Sequence, residues 1–483
     1  MKKVFNDCRV LDKKARERYL LTEEIMMENA AAALEAEIRA KEGIKSVVIL
    51  CGVGDNGSDG MTLARRIASD YKVTVLKSRQ FRSTVGKRQE KRAKACKIEI
   101  TSYLKMQKSN AIEEADCIVD CIFGAGFHGE VPAEYKAVLL RANESKAFKI
   151  ACDIPTGIDC TGKRGKIVFR ADVTVTMGAY KASLFSDEAS DLTGEIKCAS
   201  LGLSSALYEY KVVPDGYVLE ESDMTLPVRE KHCVHKGNFG HTAVFAGEKK
   251  GAAVIAASAA SAFGSGLVTV VSDKELEGVP FDLMQSNSAA ENTSAIAAGM
   301  GFGEDSEREK ELFEYLFNHK EIKAVLDADL LHTEELIDFL DRLESDESES
   351  KKRIVLTPHP KEFASLLKNA KIKETGERVQ DVKAFCEKYK KAVLVLKGAI
   401  SIIATFDEKN VAVYYNPHGR NCLAKGGSGD VLSGLIVALL AQGYDTVQGV
   451  ISAVLAHSFA SQKITTSYGM TPFMLIDEVR NLA

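Results

Sequence analysis

The sequence lacks any CxxC pair or His–Cys ligand spacing, and its eleven cysteines are scattered along 483 residues. An odd cysteine count without a framework excludes a disulfide-stapled fold and predicts reduced thiols in the cytosol. No apolar run approaches the roughly 20 residues needed to span a bilayer; the run "VLSGLIVALLA" falls well short. The start, "MKKVFNDCRV", has no apolar signal core, so a soluble, cytoplasmic protein is expected. Excess charge is also missing. A formal net charge of -4 implies no general attraction to nucleic acid or acidic membranes, and neither is expected as a partner. The one basic stretch, "VGKRQEKRAKACK" (85–97), reads as a solvated helix face. No repeat at solenoid spacing is present.

What is present is an alternation of strand-like and helix-like segments. "TEEIMMENAAAALEAEIRA" (22–40) has helical spacing, and "SVVILCG" (46–52) reads as a short buried strand ending in glycine. "ADCIVDCIFGAG" and "KIACDIPTG" are further strands that break into glycine-bearing turns. Such alternation predicts a parallel sheet covered on both faces, with ligands beyond the C-terminal strand ends. Periodicity fades between 204 and 235, and a second α/β series follows. The expected domains are 1–210 and 211–483. The charged stretch "RLESDESESKKR" (342–353) predicts an exposed, mobile loop.

Length alone favours two or more domains, and each half carries its own turn cluster. In the first half, "CGVGDNGSDG" follows a strand and precedes a helix, where backbone N–H groups and the helix end favour anions. It is neither a strict GxGxxG nor a P-loop. By itself it reads equally as a tight turn with capping carboxylates. Two neighbouring turns add oxygen side chains: Asp120 in "VDCIFGAGFHGE", and Asp153, Thr156 and Asp159 in "CDIPTGIDCTG". Together they suit either a phosphate cradle or an oxygen-ligand pocket for a hard cation.

In the second half, "KGGSGD" (425–430) precedes an apolar helix. Successive glycines allow an anion nest, and the helix adds its positive end. Asp430 stands where it can accept a hydroxyl proton. A lone GSGD would more simply be a helix cap. Here Lys397 in "LKGAISII", and His359 and Glu362 in "LTPHPKEF", supply companions.

The motifs "IMMENAA", "GVGDNGSDG", "DCIFGAGF", "DIPTGID" and "VTMGAYKASLF" resemble the epimerase domain of the NAD(P)H-hydrate repair enzymes. The ordered series "HKGNFG", "GAAVIAAS", "GSGLVT", "LDAD", "LTPHPKE", "LKGAIS", "NPHGRNCLAKGGSGDVLSGLIVALLAQG" and "AHSFA" closely resembles their dehydratase domain. The resemblance implies a Rossmann-like three-layer first domain and a ribokinase-like α/β second domain. It implies that Asp55, Asn56, Gly57, Ser58 and Asp59 bind the damaged nucleotide, with Gly124, Ala125, Gly126, Phe127, His128, Gly129 and Glu130. Asp153 would touch the hydrated nicotinamide and act in catalysis, and Asn56, Asp120 and Thr156 would line a potassium site. Asp55 and Ser58 depart from the usual pattern, which has asparagine and glycine there.

In the second domain the resemblance implies that Lys397, Gly398, Ala399, Ile400, Ser401, Gly427, Ser428 and Gly429 contact ADP. Ala253, Gly301, Gly303, His359 and the catalytic Asp430 would contact the hydrated dinucleotide. "MGFGE" (300–304) is a shortened match to the family turn, and Lys425 replaces a small residue, facing either phosphate or solvent. The implied activity is epimerisation of hydrated NADH and NADPH, followed by ADP- or ATP-dependent dehydration with magnesium. Small molecules are the expected partners, and a homo-oligomer is expected. The alternative is a ribokinase-like small-molecule kinase fused to a nucleotide-binding scaffold. His457, Glu28, Asn29 and His128 read more simply as packing, face or capping residues.

Overall fold

A computed structural model describes residues 1–103, 109–303 and 305–483. Glu304 of the "MGFGE" turn therefore lies outside the described residues. The chain divides into two compact units, Lys2–Gly216 and Tyr217–Ala483. The division falls within the aperiodic stretch of the sequence.

The first unit is built on seven strands: β1 (Ser46–Cys51), β2 (Lys72–Lys77), β3 (Glu99–Ser102), β4 (Cys117–Cys121), β5 (Phe148–Cys152), β6 (Val173–Met177) and β7 (Glu195–Ala199). Their order across the sheet is β3-β2-β1-β4-β5-β6-β7, and every pairing is parallel. Apolar runs such as "VVILC" are buried along their whole length, because helices cover both faces of a parallel sheet. Helix Glu23–Ala40 begins where the sequence placed it. Its N-cap Thr22 accepts a hydrogen bond from the Ile25 amide. The order reverses between β1 and β4. That is the topological switch point where open α/β sheets bind ligands.

The second unit repeats the logic. Its strands are β8 (His241–Phe245), β9 (Leu267–Val271), β10 (Met284–Ser286), β11 (Ala295–Ala298), β12 (Lys323–Leu326), β13 (Ile354–Leu356), β14 (Ala392–Leu396), β15 (Ser401–Asp407) and β16 (Asn410–Asn416). They run in the order β10-β9-β8-β11-β12-β13-β14-β15-β16. Pairing is parallel as far as β14, after which β15 and β16 fold back antiparallel. The expected α/β class holds in both units.

Helix Ser428–Ala441 is apolar all round, and from Val431 onward it is wholly buried. It lies against helix Lys250–Ala262, whose small residues permit close approach. A methyl group at Gly434 would stand 2.2 Å from the Ala256 carbonyl oxygen.

One expectation fails. The segment 342–353 is not simply an exposed loop. Helix Glu334–Ser345 includes its first residues. Its end turns inward, where Arg353 Nε donates to Glu349 Oε2 at 2.7 Å with both residues buried. A charge run reads as solvated unless its members neutralise one another, and here two of them do.

Gly434→Ala should lower the stability of the second unit by about 1–3 kcal/mol, the range of overpacked cores. Gly251→Ala, in a helix position with nothing within 4 Å of the added methyl, should raise stability by about 0.5–1 kcal/mol. Thermal unfolding of the two variants checks the opposite signs.

Candidate active sites at the strand ends

In the first unit the turns after β1, β4 and β5 enclose a cavity of about 700 Å³. Of the residues singled out in the sequence, Asp55, Asn56, Asp59, Gly124, Ala125, Gly126, Phe127, His128, Glu130 and Asp153 line it. Gly57, Ser58 and Gly129 are not among the lining residues. Gly57 is instead a packing glycine, because a methyl there would stand 2.2 Å from the Gly52 carbonyl oxygen. Ser58 is fully buried and its hydroxyl donates to the Gly54 carbonyl. Helix Asp55–Ile67 starts inside the glycine motif, so residues 55–59 form its first turns rather than an open loop.

Asp153 adopts a left-handed φ of 72°, a strained conformation that surroundings must enforce. Its carboxylate is fully engaged. Oδ2 accepts from the Ala125 amide at 2.9 Å, and Oδ1 from the Met177 amide at 3.1 Å. The buried Lys181 ammonium lies 2.6 Å from Oδ1. That ammonium also donates to the Thr176 hydroxyl and the Met177 carbonyl. Burial pushes the Asp153 carboxyl up, but Lys181 and the amides outweigh it and hold it below its ordinary value. Asp59 behaves oppositely. No donor among the described residues reaches its carboxyl. Burial, with Asp153, Asp55 and Asp12 nearby, pushes it well above the carboxylate range.

The three residues expected around potassium do converge. Thr156 donates through its amide and hydroxyl to the two Asp120 oxygens, at 2.7 and 2.8 Å. Asn56 Nδ2 donates to the Phe123 and Cys152 carbonyls, at 2.8 and 3.2 Å. Asn56 Oδ1 is buried with no hydrogen-bond partner. Asp120, fully buried, is pushed up to about 6, chiefly by burial and against the Thr156 and Ile122 hydrogen bonds.

In the second unit the groups gather beyond β12 and β14. Gly427, at φ 92°, caps helix Ser428–Ala441, so Asp430 lies in its first turn. Lys397 follows β14 and donates to Asp327 Oδ1 at 2.8 Å, with Glu362 Oε2 at 3.8 Å. Asp327 Oδ2 accepts from the Ser433 hydroxyl at 2.8 Å. A methyl built on Gly429 would stand 3.6 Å from Lys397 Nζ and 4.0 Å from Asp327 Oδ2. Burial, then the Asp327 charge, raise Asp430 to about 6, with Lys397 opposing. His359 caps helix Pro360–Asn369, accepting at Nδ1 from the Lys361 and Glu362 amides.

Residues 242–481 match the family described as NAD(P)H-hydrate dehydratase, and residues 23–183 match the YjeF-related protein N-terminus. The chain is 38% identical, over 100% of both sequences, to the bifunctional NAD(P)H-hydrate repair enzyme Nnr of Helicobacter pylori. The chain belongs to this bifunctional repair-enzyme family. The Coxiella burnetii enzyme of the same name is 30% identical over 97% of this chain and 96% of its own. Among solved structures, the ADP/ATP-dependent NAD(P)H-hydrate dehydratase of Bacillus subtilis, co-crystallised with ATP and Mg2+, is 24% identical. Its TM-score is 0.42, covering 53% of this chain and 93% of that one.

Other residues of this repair-enzyme chain that the sequence singled out make contacts of their own. Gly301 and Gly303 have left-handed φ values of 64° and 84° and pack against Lys249 and Glu248. Ala253 is fully buried. Gly398 and Ala399 are exposed in the β14–β15 turn, while Ile400 is buried. Lys425 donates to the Tyr468 carbonyl at 3.4 Å. His457 is a packed residue whose Nε2 meets the Ser428 carbonyl at 2.9 Å, and burial pushes it down to about 4. Glu28 pairs with Arg65 and Arg66 on the neighbouring helix.

Sequence reasoning assigned no role to Lys181, Asp12, Arg82 or Asp327. The signal for Lys181 and Asp327 was present, since each is a charge following an apolar strand. Removing one partner of a buried ion pair leaves the other uncompensated, at a cost of ~3–5 kcal/mol. Lys181→Met should therefore destabilise the first unit by that order, whereas Arg9→Met, at an exposed pair with Asp7, should cost under ~1 kcal/mol. Chemical denaturation of both variants makes the comparison.

Proposed function

We propose that the first unit interconverts the two epimers of hydrated NADH and NADPH, and that the second dehydrates one of them with ADP or ATP. The observation that carries this reading is the convergence of Gly429, Lys397 and Asp430 at one helix start. A nest, a cation and one carboxyl whose ordinary value has been raised to about 6 are the parts that phosphoryl transfer to an alcohol requires.

In the second unit Asp430 takes the proton of the substrate hydroxyl as its oxygen attacks the terminal phosphoryl group of the nucleotide. With ADP the leaving group is AMP. The amides of 427–429 and the Lys397 ammonium hold the transferring charge. Phosphate then departs from the ring carbon with its bonding electrons, the neighbouring carbon releases a proton, and the ring double bond is restored. Among the described residues no three acidic, histidine or cysteine groups converge as a metal site. Magnesium is accordingly assigned to no protein ligand, and no step depends on it.

In the first unit the ring nitrogen's lone pair expels the hydroxyl as water, leaving a cationic ring, and water returns on either face. The sequence suggested proton transfer by Asp153. Its filled acceptor sites and lowered value make it a weak base, so we assign it the stabilisation of the positive ring. Asp59, unpartnered and raised by burial, supplies the proton to the departing hydroxyl and recovers it on return. The unpaired Asn56 Oδ1, beside main-chain carbonyls, fits a hard monovalent cation such as potassium. Asp120 would act through Thr156, because its own oxygens are occupied. Arg82, a cavity-lining residue with no carboxylate partner among the described residues, suits a substrate phosphate. All eleven cysteines are free, which fits a cytoplasmic setting, and no helix of the described residues is long and apolar enough to cross a membrane.

Incubation with hydrated NADH and ADP should restore reduced-nicotinamide absorbance with release of inorganic phosphate. A stable phosphorylated product without that recovery would instead identify a kinase. Asp430→Asn should abolish dehydration, by about 10²-fold or more, and leave epimer exchange intact. Asp153→Ala and Asp59→Asn should each slow epimer exchange and spare dehydration. Chiral separation of the hydrate epimers reads the second pair.

A further inference from the structure

Asp327 accepts from three separate elements of the second unit, and the reading above gives it no part. It ends the run "KAVLD" at the C-terminus of β12 and is 2% exposed. Its Oδ1 accepts from the Lys397 ammonium and from the Ala328 amide, both at 2.8 Å. Its Oδ2 accepts from Ser433, on the helix that carries Asp430, also at 2.8 Å. The backbone around it is correspondingly constrained. Ala328 has a left-handed φ of 50°, and a methyl on Gly299 would stand 1.8 Å from the Asp327 carbonyl oxygen. A non-glycine residue in that region persists only where its surroundings hold it. One carboxylate thus ties together the strand end, the cation beneath the nest and the helix bearing the general base.

We propose that Asp327 is the positioning residue of the dehydration site: it holds the Lys397 ammonium beneath the 427–429 nest and supplies the negative neighbour of Asp430. This rests on the phosphoryl-transfer reading of the second unit. Lys397 would otherwise have two alternatives within reach, Glu362 at 3.8 Å and the Asp430 carboxyl. Pairing with the Asp430 carboxyl would disable the base, since an ammonium beside a carboxylate lowers its proton affinity. By bonding the ammonium itself, Asp327 keeps Asp430 basic enough to take a hydroxyl proton.

The charges that act on Asp430 are Asp327 from β12 and Lys397 from β14; of the other titratable groups on neighbouring elements, Glu362 stands 3.8 Å from Lys397 and 3.2 Å from His359, Lys425 donates to the Tyr468 carbonyl, and His457 meets the Ser428 carbonyl. His457 is held neutral near pH 7 by its burial. Among these groups, Asp327 raises Asp430 and Lys397 lowers it.

The two neighbours therefore have opposite signatures. Dehydration requires Asp430 ionised, so its rate falls with pH below the Asp430 value. The full-length enzyme, assayed with hydrated NADH and ADP from pH 5 to 8, should show an acidic limb near the Asp430 value of about 6. Asp327→Asn removes the negative neighbour and should move that limb to lower pH by about one unit. Lys397→Met removes the positive neighbour and should move it to higher pH. Epimer exchange in the same preparations should be unchanged and reports folding of the rest of the chain. Opposite displacements support the assignment. Limbs that stay at the wild-type pH in both variants overturn it, as does a shift of both in one direction. Should Asp327→Asn fail to fold, the direction of the Lys397→Met limb decides alone: a move to lower pH, or no move, overturns it. If the wild-type enzyme restores no reduced nicotinamide, the phosphoryl-transfer reading fails first, and the two failures are distinct.

Discussion

A lysine paired to a carboxylate at the end of a parallel strand, with one partner fully buried and the other half-buried, is the interaction on which each unit depends. In the first unit it is Lys181 with Asp153, and in the second Lys397 with Asp327. Taking two charges out of water is costly, and the mutual attraction offsets that cost only when the remaining donors and acceptors are satisfied. Both pairs meet the condition. Lys181 spends its other donors on Thr176 and Met177. Asp327 spends its other oxygen on Ser433. Neither pair is a surface ornament that solvent could replace.

The same pairs create chemical contrast between neighbouring carboxyls. Asp153, next to Lys181, is held ionised, while Asp59 in the same cavity, with no donor of its own, is pushed towards its neutral form. Asp430 is raised to about 6 by burial and by Asp327, against the opposing charge of Lys397. Environments that push similar groups apart assign acid, base and fixed charge without any change of residue type. Both sites occupy the C-terminal ends of parallel strands. The first sits at the crossover between β1 and β4, where diverging connections leave an open crevice.

Much of this was legible in the residues. Strands such as "VVILC" and the glycine turns after them announce an α/β sheet, because only buried parallel strands are apolar on both faces. The turns were readable for a steric reason. Gly57 and Gly427 stand where a side chain would meet backbone or proline atoms, and Gly427 also needs a left-handed φ. Asp55, Asn56, Gly124 and Asp153 could be placed around one cavity on motif order. The segment 342–353 could not, because its charges read as solvated until Arg353 and Glu349 are seen to pair.

The sequence by itself determined the alternation of elements, the two glycine-rich clusters and which residues could carry oxygen chemistry, since these depend on local periodicity and backbone freedom. Only the tertiary structure decided which carboxyl is charged and which is neutral. Lys397 meets Asp327 from 70 positions away, and Lys181 meets Asp153 across strand ends. Proton affinity follows from burial and from the nearest opposite charge, and sheet order, not chain order, sets both.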